Sequence, residues 1–355
     1  MSQAEPFRCP SKHPAVWFPT VRAGTGADMF TIRLASALQR RGVRTEITWL
    51  PHRAEYAPWM VSVPKPPEGT SVVHINTWLH PKFYAHSGHP ILATCHGCVH
   101  DPALEPYKSQ SQAAYHRHWV RRLERRSIET AETVTAVSIY TAKSLSRAFG
   151  RREIEVVPNW LPDDAFVERN RSTPHNPFRL LYIGNWSSRK GSDLLPPIME
   201  NLGAAFELRF TGAPPKHIRL PANMLSLGWS SQPSQVRAWM GETDALLFPS
   251  RMEGMPLAVL EAMASGLPVI ASDTSSLPEL IANERSGLLC PVDDAHAFAT
   301  AARRLRDRPT EWKAMGDAAY ARAKAYHSES VAIDHYLALY RSLRRTGTGS
   351  RAIQL

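Results

Sequence analysis

At 355 residues the chain is long enough for two domains of ordinary size, and 43% apolar content excludes wholesale disorder. A formal charge of +10 admits nucleic acid, an anionic membrane face or acidic small molecules, but no basic stripe interleaved with aromatics, zinc finger or RNA-recognition signature accompanies it, so nucleic acid is not expected. Four cysteines make no disulfide scaffold at this length and fit a reducing cytoplasm; residues 1–10 lack the regions of a secretory signal, and no run of about 18 apolar residues predicts a spanning helix.

The first half alternates strand and helix. Residues 14–18 read as a strand, followed by a loop bearing Gly24 and Gly26 and a helix with Phe30, Leu34, Ala37 and Leu38 on one face. Arg40-Arg41-Gly42 supplies the stop. Such a unit favours an anion at the helix start. A nicotinamide fingerprint is the rival, but Met29 stands where its third glycine belongs, and no acidic residue ends a second strand about 20 residues on. Residues 51–70 are rich in proline and read as irregular, with one short helical turn around Trp59. Residues 71–75 and 90–97 are further strands. The second ends on His96-Gly97, where a histidine either reaches a bound ligand or is purely structural. Cys95-x-x-Cys98 lacks the second cysteine pair of a zinc site and ends a strand instead of opening a helix. Neither metal nor redox chemistry is expected there, and both thiols are read as lining residues. Residues 110–129 form a polar, basic helix, which is either a solvated face or a dock for anionic lipid. Strands over 133–138 and 153–159 complete a first domain spanning 1–162. Residues 163–177, polar and broken by prolines, are the linker.

The second half, 178–328, restarts the alternation. Strands are expected over 178–184, 206–210, 224–229 and 245–248, with a basic loop carrying Arg189 and Lys190 after the first. Helices start at 192 and 295 and pass through Val236 and Trp239. A terminal helix over 329–343 carries Ile333, Tyr336, Leu337, Leu339 and Tyr340, and the basic tail 344–355 is expected to be disordered. Strands alternating with helices imply parallel sheets covered on both faces. Two such halves leave one cleft between them.

The most informative stretch follows the strand 245–248. Glu253-Gly254 forms a loop, and Pro256 suits the first turn of a helix carrying Leu257, Leu260, Met263 and Ala264 on one face. Gly266 stops it. Glu253 lies in the loop and Glu261 in the helix. Free N–H groups from Gly254 through Met255 to Leu257 suit a phosphate, and the carboxylates suit hydroxyls. Spacing alone serves a capped helix with two solvated glutamates equally well.

The stretch Glu253-Gly-Met-Pro-x-x-x-Leu-Glu261-Ala-Met-x-x-Gly266-x-Pro-Val resembles the Glu-x7-Glu signature of glycosyltransferase family 4. That family has the GT-B fold, an α/β architecture of two Rossmann-like, doubly wound parallel-sheet domains facing a central cleft. The likeness runs over residues 14–342, densely at 245–291 and loosely in 50–130. It implies a retaining enzyme that takes a UDP- or GDP-sugar as donor and needs neither metal nor other cofactor. It implies catalytic roles for His96, Glu253 and Lys190. Arg189 and Lys190 would clamp the diphosphate, Glu253 would meet the donor sugar and Glu261 the ribose. Gly26 would let backbone approach the diphosphate, Gly228 and Trp229 would flank the base, and His96 would touch the sugar or place the acceptor. The terminal helix would cross back to the first domain. The implied acceptor is a saccharide or a lipid-linked saccharide of bacterial polysaccharide or glycoconjugate synthesis, met in the cytoplasm or at the inner face of an anionic membrane. Two departures stand out: Asn185 where many members have arginine, and Ser275-Ser276 where a Gly-Gly pair is common. A sugar-nucleotide epimerase or hydrolase on the same fold is the alternative, and it would form product without an acceptor.

Overall fold

The computed structural model describes residues 15–24, 26–168, 170–230 and 232–349. Residues 1–14, on which the expectation about a secretory signal and Pro14 of the first expected strand fall, lie outside it, as does the tail from 350 to 355.

Short apolar runs fold as strands, the inner ones buried on both faces because crossover helices cover each side of a parallel sheet, and the edge ones partly exposed. In the first domain these are β1 (Val16–Val21), β2 (Thr45–Leu50), β3 (Val72–Asn76), β4 (Ile91–Cys95), β5 (Thr133–Ala136) and β6 (Glu155–Val156). Helix α1 (Gly26–Arg40) follows β1. The basic stretch is one continuous helical rod of α2 (Gln110–Tyr115), a π turn (His116–Val120) and α3 (Arg121–Thr130). Helix α4 (Ile139–Phe149) starts at an N-capping Ser138 and ends on Gly150 in the left-handed conformation.

The second domain holds β7 (Phe178–Tyr182), α5 (Leu195–Leu202), β8 (Phe206–Thr211), β9 (Met224–Gly228), α6 (Pro233–Gly241), β10 (Ala245–Phe248), α7 (Leu257–Ala264), β11 (Val269–Ser272), α8 (Leu277–Leu280), β12 (Gly287–Cys290), α9 (Ala295–Asp307) and α10 (Pro309–Tyr326). The sequence reading passes over α10. Its buried face, Trp312, Met315, Gly316, Ala319 and Ala323, is mostly small. A Cβ at Gly316 would stand 2.4 Å from the Gly266 carbonyl oxygen, so glycine is what lets α10 lie against the turn after α7.

Both sheets are parallel and six-stranded, ordered β2-β1-β3-β4-β5-β6 and β12-β11-β10-β7-β8-β9. The α/β class and two doubly wound sheets agree with the sequence expectation. Strand order reverses direction between β1 and β3 in one sheet and between β7 and β10 in the other. Ligands of open α/β sheets bind outside the carboxyl ends of the strands at such points. The glycine loop follows β1, Arg189-Lys190 follows β7, and Glu253 follows β10.

The last helix, α11 (Glu329–Gly349), leaves the second domain and packs on the first. Ile333, Tyr336, Leu337, Tyr340 and Leu343 join Phe30, Leu34, Leu38 and Trp160 in one core. Disorder from residue 344 is therefore corrected: the helix propagates from the buried Leu343 through Gly349. At the centre of this contact His74 Nδ1 meets the Tyr340 hydroxyl at 2.6 Å and Nε2 meets Thr94 Oγ1 at 2.7 Å. Burial, with a smaller push from His96, drives His74 down to about 3. Its folded-state value lies below its unfolded one, so it costs no stability above about pH 6.5 and destabilises progressively as pH falls from there toward 3. Unfolding midpoints in urea between pH 7 and 5 should fall with a slope of up to about 1.4 kcal/mol per unit from this histidine. A His74→Gln variant that folds and keeps the same slope would remove the assignment.

Candidate functional site

The turn after β7 is built to hold two cations. Residues Ser188–Lys190 form a 3-10 turn that ends on Gly191 at φ 67. A Cβ on Gly191 would sit 1.9 Å from the Pro249 carbonyl oxygen, so only glycine lets this turn rest on the end of β10. Arg251, itself buried, fastens it from below. Its Nη1 and Nη2 each reach Asp193 at 2.7 Å, its Nε reaches Asp293 at 2.5 Å, and Nη1 also donates to the Ser188 carbonyl. Such a fork fixes direction as well as distance. The sequence reading missed Arg251, because an arginine two residues before Glu253 reads as solvated until both aspartates are brought to it.

Glu253 is the buried anion of the site. Its Oε1 accepts from Lys190 Nζ and from Ser250 Oγ, each at 2.6 Å, and Arg189 Nη1 stands 3.8 Å from Oε2. Burial raises this carboxyl, but the Lys190 and Arg189 charges and the two hydrogen bonds outweigh burial and hold it below the ordinary range. Its N–H donates to Ser275 Oγ at 3.1 Å. Ser275 adopts φ 51, a conformation suited to the glycine common at this place, and its hydroxyl makes a contact that glycine lacks.

Across the cleft, Asp28 shapes the glycine loop by accepting from Ala23 N at 3.0 Å and Gly24 N at 2.8 Å. Gly24, at φ 69, is the residue that needs glycine; Gly26 begins α1, and a Cβ there would meet nothing within 4 Å. His96 leaves β4 with its ring 4.5 Å from Phe30, edge to face. Burial brings it down to about 4, so it is a neutral hydrogen-bonding group at pH 7. Cys98 faces the cleft, but Cys95 does not: it points into the first domain's core, a correction that follows from side-chain alternation at the end of β4. Burial pushes Cys98 up to about 12 and raises Cys95 well above the ordinary thiol value, so both remain thiols. Among the described residues no group of His, Cys, Asp and Glu gathers to hold a metal ion, and no helix is long and apolar enough to cross a membrane.

The domains touch at a waist. A Cβ on Gly254 would come 2.0 Å from the His96 carbonyl oxygen. Asn159 Nδ2 donates to the Met255 carbonyl at 2.8 Å, and Thr141 Oγ1 to that of Gly254 at 3.4 Å. Glu279 of α8 accepts from Ile139 N at 2.8 Å and Tyr140 N at 2.7 Å, so a second-domain carboxylate caps a first-domain helix. Replacing Glu279 by alanine should favour the open arrangement, seen as a larger radius of gyration in small-angle scattering. An unchanged scattering curve would show that the cap does not hold the domains together.

On one side of this waist is a cavity of about 730 Å3, on the other one of about 530 Å3. Gly26, His96, Arg189, Glu253, Gly254, Met255 and Leu257 all line the larger. Lys190 stands behind Glu253. Glu261 is not among the lining residues; its Oε1 takes Arg33 Nη2 of the first domain at 3.2 Å. Burial raises its carboxyl, and Arg33 only partly offsets that. Arg33, which does line the cavity, lies between Ile32 and Leu34 of α1 and gave no sequence signal. Gly228 ends the edge strand β9, beside an exposed Trp229, with β8 and β7 between it and β10. The structure does not bring it to the cavity.

Residues 177–308 match the family described as Glycosyl transferases group 1, and residues 67–164 match Glycosyltransferase Family 4. The chain has the GT-B fold, and each of its two domains is similar to a glycosyltransferase family model. The sucrose-phosphate synthase of Thermosynechococcus elongatus has the same fold: TM-score 0.75 at 17% identity, covering 94% of this chain and 100% of that one. By sequence the GT-B chain is 27% identical over 212 residues to the amylovoran biosynthesis glycosyltransferase AmsK of Erwinia amylovora, 55% of this chain and 52% of AmsK. It is 37% identical over 91 residues to a UDP-Gal:alpha-D-GlcNAc-diphosphoundecaprenol alpha-1,3-galactosyltransferase of Escherichia coli, 25% of this chain and 22% of the other. The chain thus spans about half of the length of AmsK and less of the galactosyltransferase.

Proposed function

We propose that this chain is a retaining glycosyltransferase that moves a sugar from a UDP- or GDP-sugar to a hydroxyl of a saccharide or lipid-linked saccharide, without a metal ion, in bacterial polysaccharide or glycoconjugate synthesis. The observation that carries the reading is the Lys190–Glu253 pair at the β7–β10 switch point, set against Arg189 and facing His96 across the cavity. Cations fixed beside a cavity stabilise a diphosphate as it departs. Arg189 and Lys190 have that role here, which is the reason no metal is needed. The N–H groups around Gly26, Gly254, Met255 and Leu257 meet phosphate oxygens. Glu253 accepts hydroxyls of the donor sugar, and Glu261, released from Arg33, accepts those of the ribose. Gly228 lies by the base when the donor stretches toward β9. Neutral His96 hydrogen-bonds the sugar or the incoming acceptor.

In the step itself the acceptor oxygen bonds to the anomeric carbon on the face the diphosphate leaves. The carbon–phosphate-oxygen bond breaks, and the acceptor proton passes to that phosphate oxygen. No side chain forms a covalent bond. Glu253 is occupied by Lys190 and Ser250, which suits binding better than nucleophilic attack. A nucleotide-sugar donor places the reaction in the cytoplasm, at the inner membrane face for a lipid-linked acceptor. The names of the two relatives, one of them a UDP-Gal enzyme with a lipid-linked acceptor, support the donor and acceptor classes.

The test starts with a thermal-shift screen of nucleotide sugars, in which a donor at about 100 times its Kd adds about 2.7 kcal/mol. Acceptor-dependent release of UDP or GDP that persists in EDTA is the expected result. Conversion without any acceptor would favour an epimerase or hydrolase, and no release with any acceptor would sink the transferase reading.

A further inference from the structure

The segment between β2 and β3 begins at the larger cavity and ends in solvent. His52 and Glu55 line the cavity. Just beyond them Tyr56, Trp59, Met60 and Val63 stand 55%, 68%, 65% and 50% exposed. Isolated exposed apolar residues are ordinary, but four within eight positions make a patch. The segment is tied down, not loose. Two 3-10 turns, His52–Ala54 and Pro58–Met60, shape it. Lys82 Nζ donates to the carbonyls of Pro58 at 3.1 Å and Val61 at 2.9 Å, and Trp119 Nε1 donates to Glu55 O at 2.8 Å. Trp59 and Trp119 lie edge to face at 6.5 Å.

Beside the patch runs a groove of about 620 Å3. Val63 and Trp119 give it apolar walls, Lys82, Arg122 and Arg126 give it positive charge, and no carboxylate lines it. The His80 ring stacks on Trp119 at 6.2 Å. Burial, Lys82 and Arg126 hold that imidazole below its ordinary value, as a positive field would. Aromatic and thioether side chains on a tied-down segment beside a cationic groove match the boundary between headgroups and acyl chains. The apolar tips enter the hydrocarbon edge, and the cations meet anionic headgroups.

We propose that residues 56–63, with the groove of Lys82, Arg122 and Arg126, form a docking surface for an anionic phospholipid bilayer, holding the mouth of the larger cavity at the membrane. The patch and the cavity share one segment, so docking fixes their separation. If the transfer reaction proposed above holds, the surface delivers a lipid-linked acceptor; the docking itself does not depend on that reaction.

Vesicle flotation tests this with the full chain. Binding to phosphatidylcholine vesicles containing about a third phosphatidylglycerol is expected, with little binding to phosphatidylcholine alone or at high salt. The double variant Trp59→Ser, Met60→Ser should lower partitioning roughly tenfold. The double variant Arg122→Gln, Arg126→Gln should lower it roughly thirtyfold, about fivefold per charge. Trp59 and Met60 are exposed, so their loss should leave the melting temperature and donor turnover in solution unchanged. The proposal falls if the wild type does not bind anionic vesicles, or if either variant binds as the wild type does. It also falls if soluble glycerol phosphate displaces the vesicles, which would mark a free-anion pocket instead. No nucleotide sugar enters this assay, so its failure and a failure of the transferase reading are separate results.

Discussion

Lys190→Ala should lower kcat for donor turnover by about 10²–10³, with a much smaller change in donor KM. The argument rests on where charge develops. In the proposed reaction the donor diphosphate carries its charge from the start, so much of its attraction to Lys190 and Arg189 would be present in the ground state. The extra negative charge would appear on the leaving oxygen as the bond breaks, where a fixed ammonium would meet it. Lys190 also neutralises Glu253 at 2.6 Å. Without it the burial that raises the Glu253 carboxyl is opposed only by Arg189 and Ser250, so the carboxyl moves up from its present depressed position. The variant should therefore lose its residual activity on the acid side at a higher pH than the wild type. Single-turnover donor consumption across pH checks both parts. A kcat within about tenfold of wild type at every pH would take Lys190 out of the chemistry.

Gly254→Ala should reduce kcat/KM by about 10² while both domains stay folded. Its added Cβ would lie 2.0 Å from His96 O and 3.3 Å from the Gly97 Cα, and neither is the tip of a flexible side chain. The domains must part by about an ångström, and a displacement of that size at a reacting centre costs about 10²-fold. Gly26→Ala is the control from the opposite wall: its Cβ meets nothing within 4 Å, so the unliganded protein should keep its scattering curve and stability. Small-angle scattering with steady-state kinetics separates the two variants. Wild-type kcat/KM in Gly254→Ala would mean that the waist is not part of the working geometry.

The alternation of strand and helix was legible because apolar runs and glycine stops repeat along the chain. The region after β10 was legible because its loop, helix start and both glutamates are contiguous. What could not be read were contacts that join distant stretches. Arg251 is an ordinary arginine until Asp193 and Asp293 converge on it. Arg33 has no visible task until the first-domain helix α1 meets Glu261 of α7. Gly26 drew attention as a glycine, whereas Gly24 holds the positive φ and Asp28 ties the loop. Helix α10 escaped because its buried face is small, and small faces look weakly amphipathic in sequence. Gly228 was carried by position alone, and the strand order puts β8 and β7 between it and β10.

The return of α11 to the first domain bears on how the chain is made. Residues 332–343 complete the core around Phe30, Leu34 and Trp160, and Tyr340 closes over His74. A ribosome releases the first domain before the second is synthesised and α11 only after it. The domain that emerges first is thus finished last, and until then its α11-facing core lies open to water, chaperones and other nascent chains. A chain stopped at residue 328 should hold a completed second domain joined to a sticky, unfinished first one. The protein's quality on leaving the ribosome therefore hangs on α11.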